Sequence, residues 1–390
     1  MSTAAAAVFV LCLFGYPIVG NLTAFAGIGS RVLSVPFRVF CVVLCLLLAV
    51  VTVPKIRLRP SVAVVLLWWL AYLVRFGYDI SVQGIEGADF ALQFFIVTAV
   101  LPSLALLGAL QVWDDDKVVR YALLVSMLGC VMALSGFFLG YGDQDLTTKT
   151  GRLSTESLNP ITIGYVGVNL CLTSILFMRG KGYFLKTCLL VLVAFGLATI
   201  ALSASKGPAI ALIICLTIVA VVRRTWLAIF FGAIVVVAGA ATFVETAPAL
   251  SRVIEVSDDE STRERITLAH DSFEQIAEYP WIGSAFVELK SGHYPHNQFI
   301  EAGLALGVPA AGVLVVLTLL GLRQSWLGLW RGQIFLSLLF VQAALNSVLS
   351  GSLWASGDYW VTLILLLSSS GNYPARPGRA QPPVPIQQLA

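Results

Sequence analysis

Two histidines lie together near the end of the chain, in the stretch SGHYPHNQFIEAGLALGVPAAG that begins at residue 291. They are His293 and His296, and His270, the third histidine of the chain, precedes them closely. Histidine is the side chain whose ordinary pKa lies nearest to neutral pH, which suits it to take and return a proton. The pair therefore indicates acid–base chemistry at this place in the chain.

Two other interpretations of the histidine pair stay open. His293 and His296 have a spacing that metal ligands can use, but Pro295 interrupts the helix between them. No third ligand is evident, whereas a catalytic zinc usually has three protein ligands. One of the histidines could instead cap the next helix. An acidic run at residues 258–260 could also hold a divalent metal, although contact with water explains such a run more simply. We expect neither a metal nor another cofactor.

A helix is expected to begin directly after the histidines. Asn297 stands at its start, where unpaired backbone N–H groups attract anions such as phosphate. Glu301 lies one turn further along the same face, inside an apolar region. A carboxylate there must be paired or functional, because burying it is costly. Gly303 and Gly307 are four residues apart, a spacing that allows two helices to approach closely. Asn297 and Glu301 are therefore candidates for substrate binding.

The sequence predicts an amphipathic helix just before the histidine pair. Apolar residues recur at helical spacing in STRERITLAHDSFEQIAEYP, residues 261–280. Arg263 and Arg265 lie in its first turns, where the helix dipole disfavours a cation. An anionic ligand would compensate these charges, and so would the acidic run that precedes the helix. Two further cations, Arg152 and Lys206, lie in segments expected on the same side of the membrane.

Membrane helices must hold these residues in place. The chain of 390 residues is 58% hydrophobic and only 12% charged, whereas soluble domains usually have about 25% charged residues. We predict an all-α fold, a polytopic membrane helix bundle of about twelve transmembrane helices with an amphipathic helix in a large outer loop. The predicted spans are residues 5–28, 36–53, 61–78, 90–111, 118–140, 160–178, 185–203, 207–222, 225–244, 297–321, 329–349 and 353–370.

Two features of the composition exclude other classes of protein. All seven cysteines lie in or beside the apolar runs, so no disulfide framework is expected. The formal net charge of +3 is small and gives no indication of nucleic-acid binding. The sequence also contains no P-loop, no dinucleotide-binding glycine pattern and no Gly-x-Ser-x-Gly motif.

The distribution of lysine and arginine predicts the topology. These residues concentrate in every second short loop, and the positive-inside rule places such loops, together with both termini, in the cytoplasm. Residues 141–159 and 245–295 then lie on the opposite face. We expect residues 1–371 to form one transmembrane domain and the proline-rich segment 372–390 to be a disordered cytoplasmic tail.

The outer face would thus present several cations beside helix starts and one or two histidines. Two or three fixed cations suit a pyrophosphate better than a single carboxylate. A histidine beside them can take the proton of a sugar hydroxyl as that hydroxyl attacks. This combination indicates transfer of a sugar from a lipid diphosphate carrier on the face of the membrane away from the cytoplasm.

The same residues resemble a known family. HYPHNQFIEAGLALGVPAAG and RITLAHDSFEQIAEYPWIGSAF are similar to two stretches of the O-antigen ligase and O-antigen polymerase superfamily of bacterial membrane glycosyltransferases. SASKGP, residues 203–208, is similar to a third, with Lys206 where the family has an arginine. A lysine replaces a two-pronged guanidinium with a point charge, so only a simpler phosphate contact is expected there.

The resemblance implies a metal-independent, inverting transfer at the periplasmic face of the bacterial inner membrane. The donor would be an undecaprenyl-pyrophosphate-linked glycan, with its pyrophosphate bound by Arg152 and Arg265. One of the two motif histidines would assist the acceptor hydroxyl; the resemblance does not distinguish them, and we take His293 as the first choice for the base, with His296 orienting the substrate. Lys206, Arg263, Asn297 and Glu301 are the further candidates for substrate binding.

Several activities remain compatible with this resemblance. A ligase would use lipid A–core as the acceptor, and a polymerase would use a lipid-linked repeat; we expect a ligase-like enzyme. A lipid or solute transporter is an alternative of another class, although the spans show no pair of interrupted helices in matching halves. A scaffold subunit is a third possibility, which the charges near the membrane surface make less attractive.

Overall fold

The structure is a computed structural model that describes residues 2–29, 31–52, 59–108, 114–140, 153–155, 158–223 and 260–369. Apart from one isolated β-bridge between Thr155 and Leu158, these residues form helices, turns and loops, so the all-α prediction is confirmed for the described part of the chain. Several predicted features lie outside the described residues: Arg152, the span at 225–244, the residues Asp258 and Asp259, and the tail at 372–390.

Fourteen α-helices are numbered here in chain order. They are α1 Ser2–Phe14, α2 Tyr16–Ala26, α3 Arg31–Thr52, α4 Pro60–Tyr78, α5 Ala88–Phe95, α6 Leu101–Leu107, α7 Asp115–Leu139, α8 Pro160–Phe177, α9 Tyr183–Ser203, α10 Lys206–Arg223, α11 Glu260–Glu278, α12 Gln298–Arg331, α13 Ile334–Leu349 and α14 Gly357–Ser369. Short π-helical turns, Asp79–Gln83 and Ile96–Val100, extend α4 and join α5 to α6.

The protein is a multi-pass membrane protein, and its described residues contain fewer full-length spans than the sequence predicts for the whole chain. Eight of the described helices are long and apolar enough to cross a bilayer, or nine if the bent pair α1 and α2 counts as one span. About twelve were expected. One predicted span lies outside the described residues, while α13 and α14 have only 16 and 13 residues. At 1.5 Å per residue, α13 is about 24 Å long, which is shorter than the roughly 30 Å hydrocarbon core.

The chain between the last two helices folds back into the bundle, so α14 begins at Gly357, later than the predicted start at 353. Residues 350–356 form turns rather than helix, and Leu353 in this segment is completely buried. Trp360, in the first turns of α14, donates from its indole N–H to the Leu353 carbonyl at 2.8 Å. Almost every residue of α14 is buried, so this helix lies at the centre of the bundle, as expected for a helix that is apolar on all sides.

Aromatic side chains fix α4 against α14. Trp360 lies between Trp68 and Trp69, with ring centroids 5.2 and 5.6 Å away. Tyr72, one turn further along α4, contacts Phe76 at 4.7 Å. Edge-to-face aromatic pairs of this kind contribute about 0.5–1.5 kcal/mol beyond the burial of their area. They give α4 a fixed position beside the start of α12.

Two spans are interrupted, a feature that the sequence does not reveal. The first bends by 54° between α1 and α2, and α12 is broken at Gly307, where φ is +82°. The two breaks lie at the start of the first half of the chain and in the middle of the second, so they are not the matched pair that a transporter would show.

The predicted glycine spacing in α12 has two different causes. A Cβ on Gly303 would lie 2.9 Å from Ile276 Cδ1, so this glycine allows α11 and α12 to approach closely, as predicted. Gly307 is required for another reason, because its positive φ favours glycine and a Cβ there would lie 2.5 Å from the Trp281 backbone. The interpretation of Gly307 as a helix-packing residue is therefore wrong.

Candidate functional site

Several helices meet at one end of the bundle, which we call the site end: α8, α10 and α12 begin there and α13 ends there. The Asn297 side chain, at the start of α12, donates to the Val348 carbonyl of α13 at 3.1 Å. A Cβ on Gly207, at the start of α10, would lie 3.9 Å from Leu349 Cδ1. The site end therefore brings together segments that are up to about 190 residues apart in the sequence.

The predicted amphipathic helix is confirmed as α11, and a folded loop connects it to α12. The Gln275 side chain is buried and holds this loop by three hydrogen bonds: it donates to Ser284 Oγ at 2.6 Å and to the Val287 carbonyl at 3.2 Å, and it accepts from the Leu289 N–H at 2.9 Å. The Ser284 N–H in turn donates to the Leu304 carbonyl at 2.7 Å. The loop is thus anchored to the first segment of α12.

Arg75 is a structural anchor of the site that the sequence interpretation missed. Its guanidinium donates to four backbone carbonyls: those of Ala305 at 2.8 Å, Ser284 at 3.1 Å, Ile282 at 2.8 Å and Gly283 at 3.2 Å. It also lies 3.5 Å from Asp79. The available signal was an arginine inside an apolar span, which usually marks a position with a specific partner.

Asp79 completes the same anchor. Its carboxylate is fully buried and accepts from the Phe286 N–H at 3.0 Å. Together, Arg75 and Asp79 satisfy backbone groups that the break in α12 and the irregular loop leave without helical partners. Such groups are costly in a membrane protein unless they are paired.

Asn297 stands at the start of α12, as predicted, and its side chain caps the helix, a role that was not predicted for it. Its side-chain oxygen accepts from the N–H groups of Phe299 at 3.0 Å and Ile300 at 3.3 Å. Because its amide nitrogen also binds the Val348 carbonyl, this side chain links α12 to the end of α13. Its hydrogen bonds are made within the protein, so its contribution to a site is to hold the backbone in place.

Glu301 is paired within the protein. It is fully buried; its Oε1 accepts from the Tyr72 hydroxyl at 2.9 Å and its Oε2 accepts from the Leu353 N–H at 2.9 Å. The sequence left open whether Glu301 is paired or functional, and these contacts show that it is paired. Glu301 joins α4, α12 and the turn before α14.

His296 stands directly before the cap, half-buried and with φ at +54°. Its ring lies 4.5 Å from that of Tyr294, and its Nδ1 is buried without a hydrogen-bond partner in the described part of the chain. Burial, the charge of Arg265 and the proximity of His293 lower the pKa of His296 to about 4, against the opposing effect of a backbone hydrogen bond with Ser350. The ring is therefore neutral near pH 7, and burial is the main cause.

Arg265 reaches the same place from α11. Its Nη1 donates to the Leu349 carbonyl at 3.2 Å, at the end of α13, where the last carbonyls of the helix attract a cation. This contact compensates the charge of Arg265 near the start of α11, for which the sequence suggested an acidic run or an anionic ligand. Arg263, two residues earlier, is exposed.

Lys206 begins α10 at the same end of the bundle and is half-buried. Its neighbour Gly207 approaches both Leu349 and the hydroxyl of Tyr165, which would lie 3.8 Å from a Cβ on Gly207. Lys206, Arg265, His296 and Asn297 therefore surround the end of α13. Arg152 lies outside the described residues, so its predicted place beside them stays a prediction.

His293 is exposed on the outer surface of the loop. Its Nδ1 lies 2.7 Å from the Ser291 carbonyl, and because a carbonyl can only accept, Nδ1 must carry the proton. The other ring nitrogen, Nε2, then has a free lone pair in the neutral ring. The turn is held by Glu288, whose carboxylate accepts from the N–H groups of Lys290 at 2.8 Å and Ser291 at 2.7 Å.

One cluster in the described residues has the arrangement of metal ligands, and it is not the one suggested by the sequence. His270, Asp271 and Glu274 on α11 offer ligand atoms within 4.8 Å of one another. The ammonium group of Lys290 already lies 3.4 Å from Asp271 and 3.1 Å from Glu274. A cation at this cluster would have to displace that lysine.

Residues 189–315 match the model of the O-antigen ligase family. The chain therefore contains an O-antigen ligase family domain, which is shared by O-antigen ligases and polymerases and is typical of membrane enzymes of polysaccharide biosynthesis. The matched region includes Lys206, Arg265, His293 and His296. No curated protein matches the chain significantly.

Proposed function

We propose that this protein transfers an undecaprenyl-pyrophosphate-linked glycan to lipid A–core at the periplasmic face of the bacterial inner membrane. The observation that carries the proposal is the convergence of Lys206, Arg265 and His296 at the end of α13, beside the exposed His293. A cationic rim next to an available imidazole is what transfer from a diphosphate donor needs. The family domain supports a lipid-linked glycan as the substrate.

In the proposed reaction His293 is the general base. The lone pair of its Nε2 takes the proton of the acceptor hydroxyl while the hydroxyl oxygen attacks the anomeric carbon of the donor sugar. The bond between that carbon and the phosphate oxygen breaks, and the diphosphate leaves with the bonding electrons. The configuration at the anomeric carbon is inverted, because the attack is a single displacement.

The cations and the second histidine have different tasks in this reaction. Arg265 and Lys206, with Arg152 as a further candidate, stabilise the negative charge that develops on the leaving diphosphate. His296 is neutral because its pKa is lowered to about 4, so it orients the substrate by a hydrogen bond without adding a charge. The reaction as proposed requires no metal, since arginine and lysine take the place that a divalent cation has in other transferases.

The proposed topology places the site end in the periplasm and both termini in the cytoplasm. The Lys/Arg-rich loops of the sequence support this orientation. Lys290 is a suitable reporter because its side chain is 67% exposed. Lys290→Cys should react with a membrane-impermeant maleimide added from the periplasmic side. A cysteine at 290 that reacts only after the cytoplasmic side is opened would overturn the orientation and the periplasmic site with it.

The acceptor distinguishes the proposed ligase from a polymerase, which would use a lipid-linked repeat. The test is the glycan profile of a strain that lacks the protein. Lipid A–core without polymer, together with accumulated lipid-linked polymer, would support the ligase. A single repeat on the core would identify a polymerase instead. Unchanged glycans with lost uptake of a solute would refute both and identify a transporter.

A further inference from the structure

A cavity of about 420 Å³ lies inside the bundle below the site end. Its volume is within the range of small-ligand pockets, about 300–1,000 Å³. Asn346 lines it, and the Ser350 N–H donates to the Asn346 carbonyl at 2.9 Å. Ser350 is also the backbone partner of His296. The cavity is therefore separated from the histidine by about one helical turn.

Arg38 of α3 lines this cavity and is held by two aromatic rings. Its guanidinium carbon lies 4.6 Å from the ring centre of Phe94 and 5.3 Å from that of Tyr16. Within the described residues it has neither a hydrogen bond nor a carboxylate within ion-pair distance. Arg38 stands seven residues into a membrane helix, about 10 Å from its start. Aromatic faces compensate a buried cation only in part, so an anionic ligand would stabilise Arg38 further at this depth.

The starts of two helices face the same space. Asn159 and Thr162, which cap and begin α8, line the cavity, and so do Gly357 and Asp358, which begin α14. The start of a helix carries a partial positive charge, which favours an anion, although Asn159 already accepts from the Thr162 N–H at 2.8 Å. Asp358 is the one acidic side chain that lines the cavity among the described residues, and backbone N–H groups at the start of α14 hold its carboxylate.

Deeper in the cavity, neutral polar groups lack partners. Ser126 Oγ, Asn169 Oδ1 and Gln342 Oε1 line the cavity, belong to side chains that are at most 9% exposed, and have no hydrogen bond in the described part of the chain. The Tyr165 hydroxyl is a fourth such group. Buried polar groups are nearly always satisfied by protein, water or ligand. This wall therefore fits a hydrated polar head rather than a hydrocarbon chain.

We propose that this cavity binds the diphosphate head of an isoprenoid lipid, with Arg38 as its cationic ligand. The choice of a diphosphate lipid rests on the proposed function; the anionic character of the ligand rests on Arg38 and the two helix starts. A head bound here lies on the membrane side of Arg265 and Lys206. This cavity is therefore a position for the lipid diphosphate outside the reaction, distinct from the reacting position at Arg265 and Lys206, while the isoprenoid chain stays in the bilayer.

Binding of undecaprenyl diphosphate to the purified full-length protein in detergent tests the proposal. Arg38→Met keeps an apolar stem of similar length between Tyr16 and Phe94 but removes the charge. Losing a hydrogen bond to a charged group should weaken binding about 10- to 100-fold. Arg31→Met, an exposed position at the start of the same helix, is the matched control and should bind like the unaltered protein.

A second variant covers the case in which Arg38→Met does not fold. Thr162→Phe keeps Arg38 and places a ring in the cavity, so it should weaken binding of the same lipid. Unchanged affinity in Arg38→Met, or in Thr162→Phe if only that variant folds, would overturn the proposal. Phosphatidylglycerol that competes as strongly as undecaprenyl diphosphate would also overturn it, because the cavity would then select any anionic lipid.

Glycan transfer by the same preparations separates this inference from the proposed function. If the protein binds undecaprenyl diphosphate through Arg38 but transfers no glycan from a defined donor, the proposed function fails and the lipid site stands. If it transfers glycan while Arg38→Met retains full affinity for the lipid, the lipid site fails and the proposed function stands.

Discussion

Replacing His293 separates catalysis from folding with unusual clarity. The side chain is exposed, and its ring is held by the hydrogen bond from Nδ1 to the Ser291 carbonyl. Substitutions at such positions usually change the free energy of unfolding by no more than about 0.5 kcal/mol. Loss of a general base, in contrast, lowers the rate about 10²–10⁴-fold, which corresponds to roughly 3–5 kcal/mol in the activation free energy.

We therefore expect His293→Ala to fold normally, to bind the donor with nearly unchanged affinity and to transfer glycan at least about a hundred times more slowly. The assay is single-turnover transfer from a defined lipid-linked donor, with donor affinity and the melting temperature measured on the same preparation. His270→Ala is the matched control, since His270 is also an exposed histidine of the outer segment, with a side chain that is 72% exposed.

Two results would refute this assignment in different ways. If His293→Ala keeps full turnover and His296→Ala is inactive, the roles of the two histidines are reversed. If both variants keep full turnover, neither histidine is the base, and the acid–base mechanism is wrong.

Three further outcomes are expected. Arg265→Ala should lower the rate of transfer about 10²–10³-fold, and Arg265→Lys should restore only part of the lost rate. The control is Arg323→Ala, at an exposed position of α12. Near-normal transfer by Arg265→Ala would mean that this arginine is structural. Transfer by the purified enzyme should survive exhaustive chelation. If chelation abolishes transfer and a divalent ion restores it, the enzyme uses a metal, and the cluster of His270, Asp271 and Glu274 becomes the candidate metal site. The pKa of His296 is lowered from 6.5 to about 4 in the folded protein, so between these pH values the folded state binds fewer protons than the unfolded state, and stability should fall as the pH drops from about 6.5 toward 4. His296→Gln should flatten this part of the plot of melting temperature against pH. An unchanged plot would contradict the burial assigned to His296.

Local patterns explain why much of the architecture was predictable. The apolar runs gave spans close to the observed helices, such as 160–178 for α8, because a membrane helix satisfies its own backbone and needs only a sufficient apolar length. The start of α12 at Asn297 and the amphipathic helix α11 follow from short-range rules that act within one or two turns. These features depend on neighbours in sequence, which a single chain displays.

Contacts between distant segments were not predictable in the same way. The carbonyl partner of Arg265 is 84 residues away at Leu349, and the anchor from Arg75 reaches carbonyls more than 200 residues away. The predicted spans end at 349 and resume at 353, but no local pattern shows that the turn at 350–356 folds back into the bundle and moves the start of α14 to Gly357. Such features arise from tertiary packing, for which the sequence contains no local pattern.

Glu301 shows how a buried charge in a membrane helix can support the fold rather than the reaction. The segment 350–356 is irregular backbone inside the bundle, and its Leu353 N–H would have no partner without the Glu301 carboxylate. Membrane proteins tolerate such backbone only where the protein satisfies it. Glu301→Ala would leave both the Leu353 N–H and the Tyr72 hydroxyl unpaired, and each unsatisfied buried group costs about 1–3 kcal/mol.

We therefore expect Glu301→Ala to lower the melting temperature strongly, while the fraction that remains folded binds the donor normally. Tyr72→Phe is the comparison, because it removes one of the two donors and should have a smaller effect on stability. Differential scanning fluorimetry in detergent and donor binding on monodisperse protein supply the two readings. A Glu301→Ala protein with unchanged melting temperature and lost donor binding would place the carboxylate in the binding site, and the structural interpretation would be wrong.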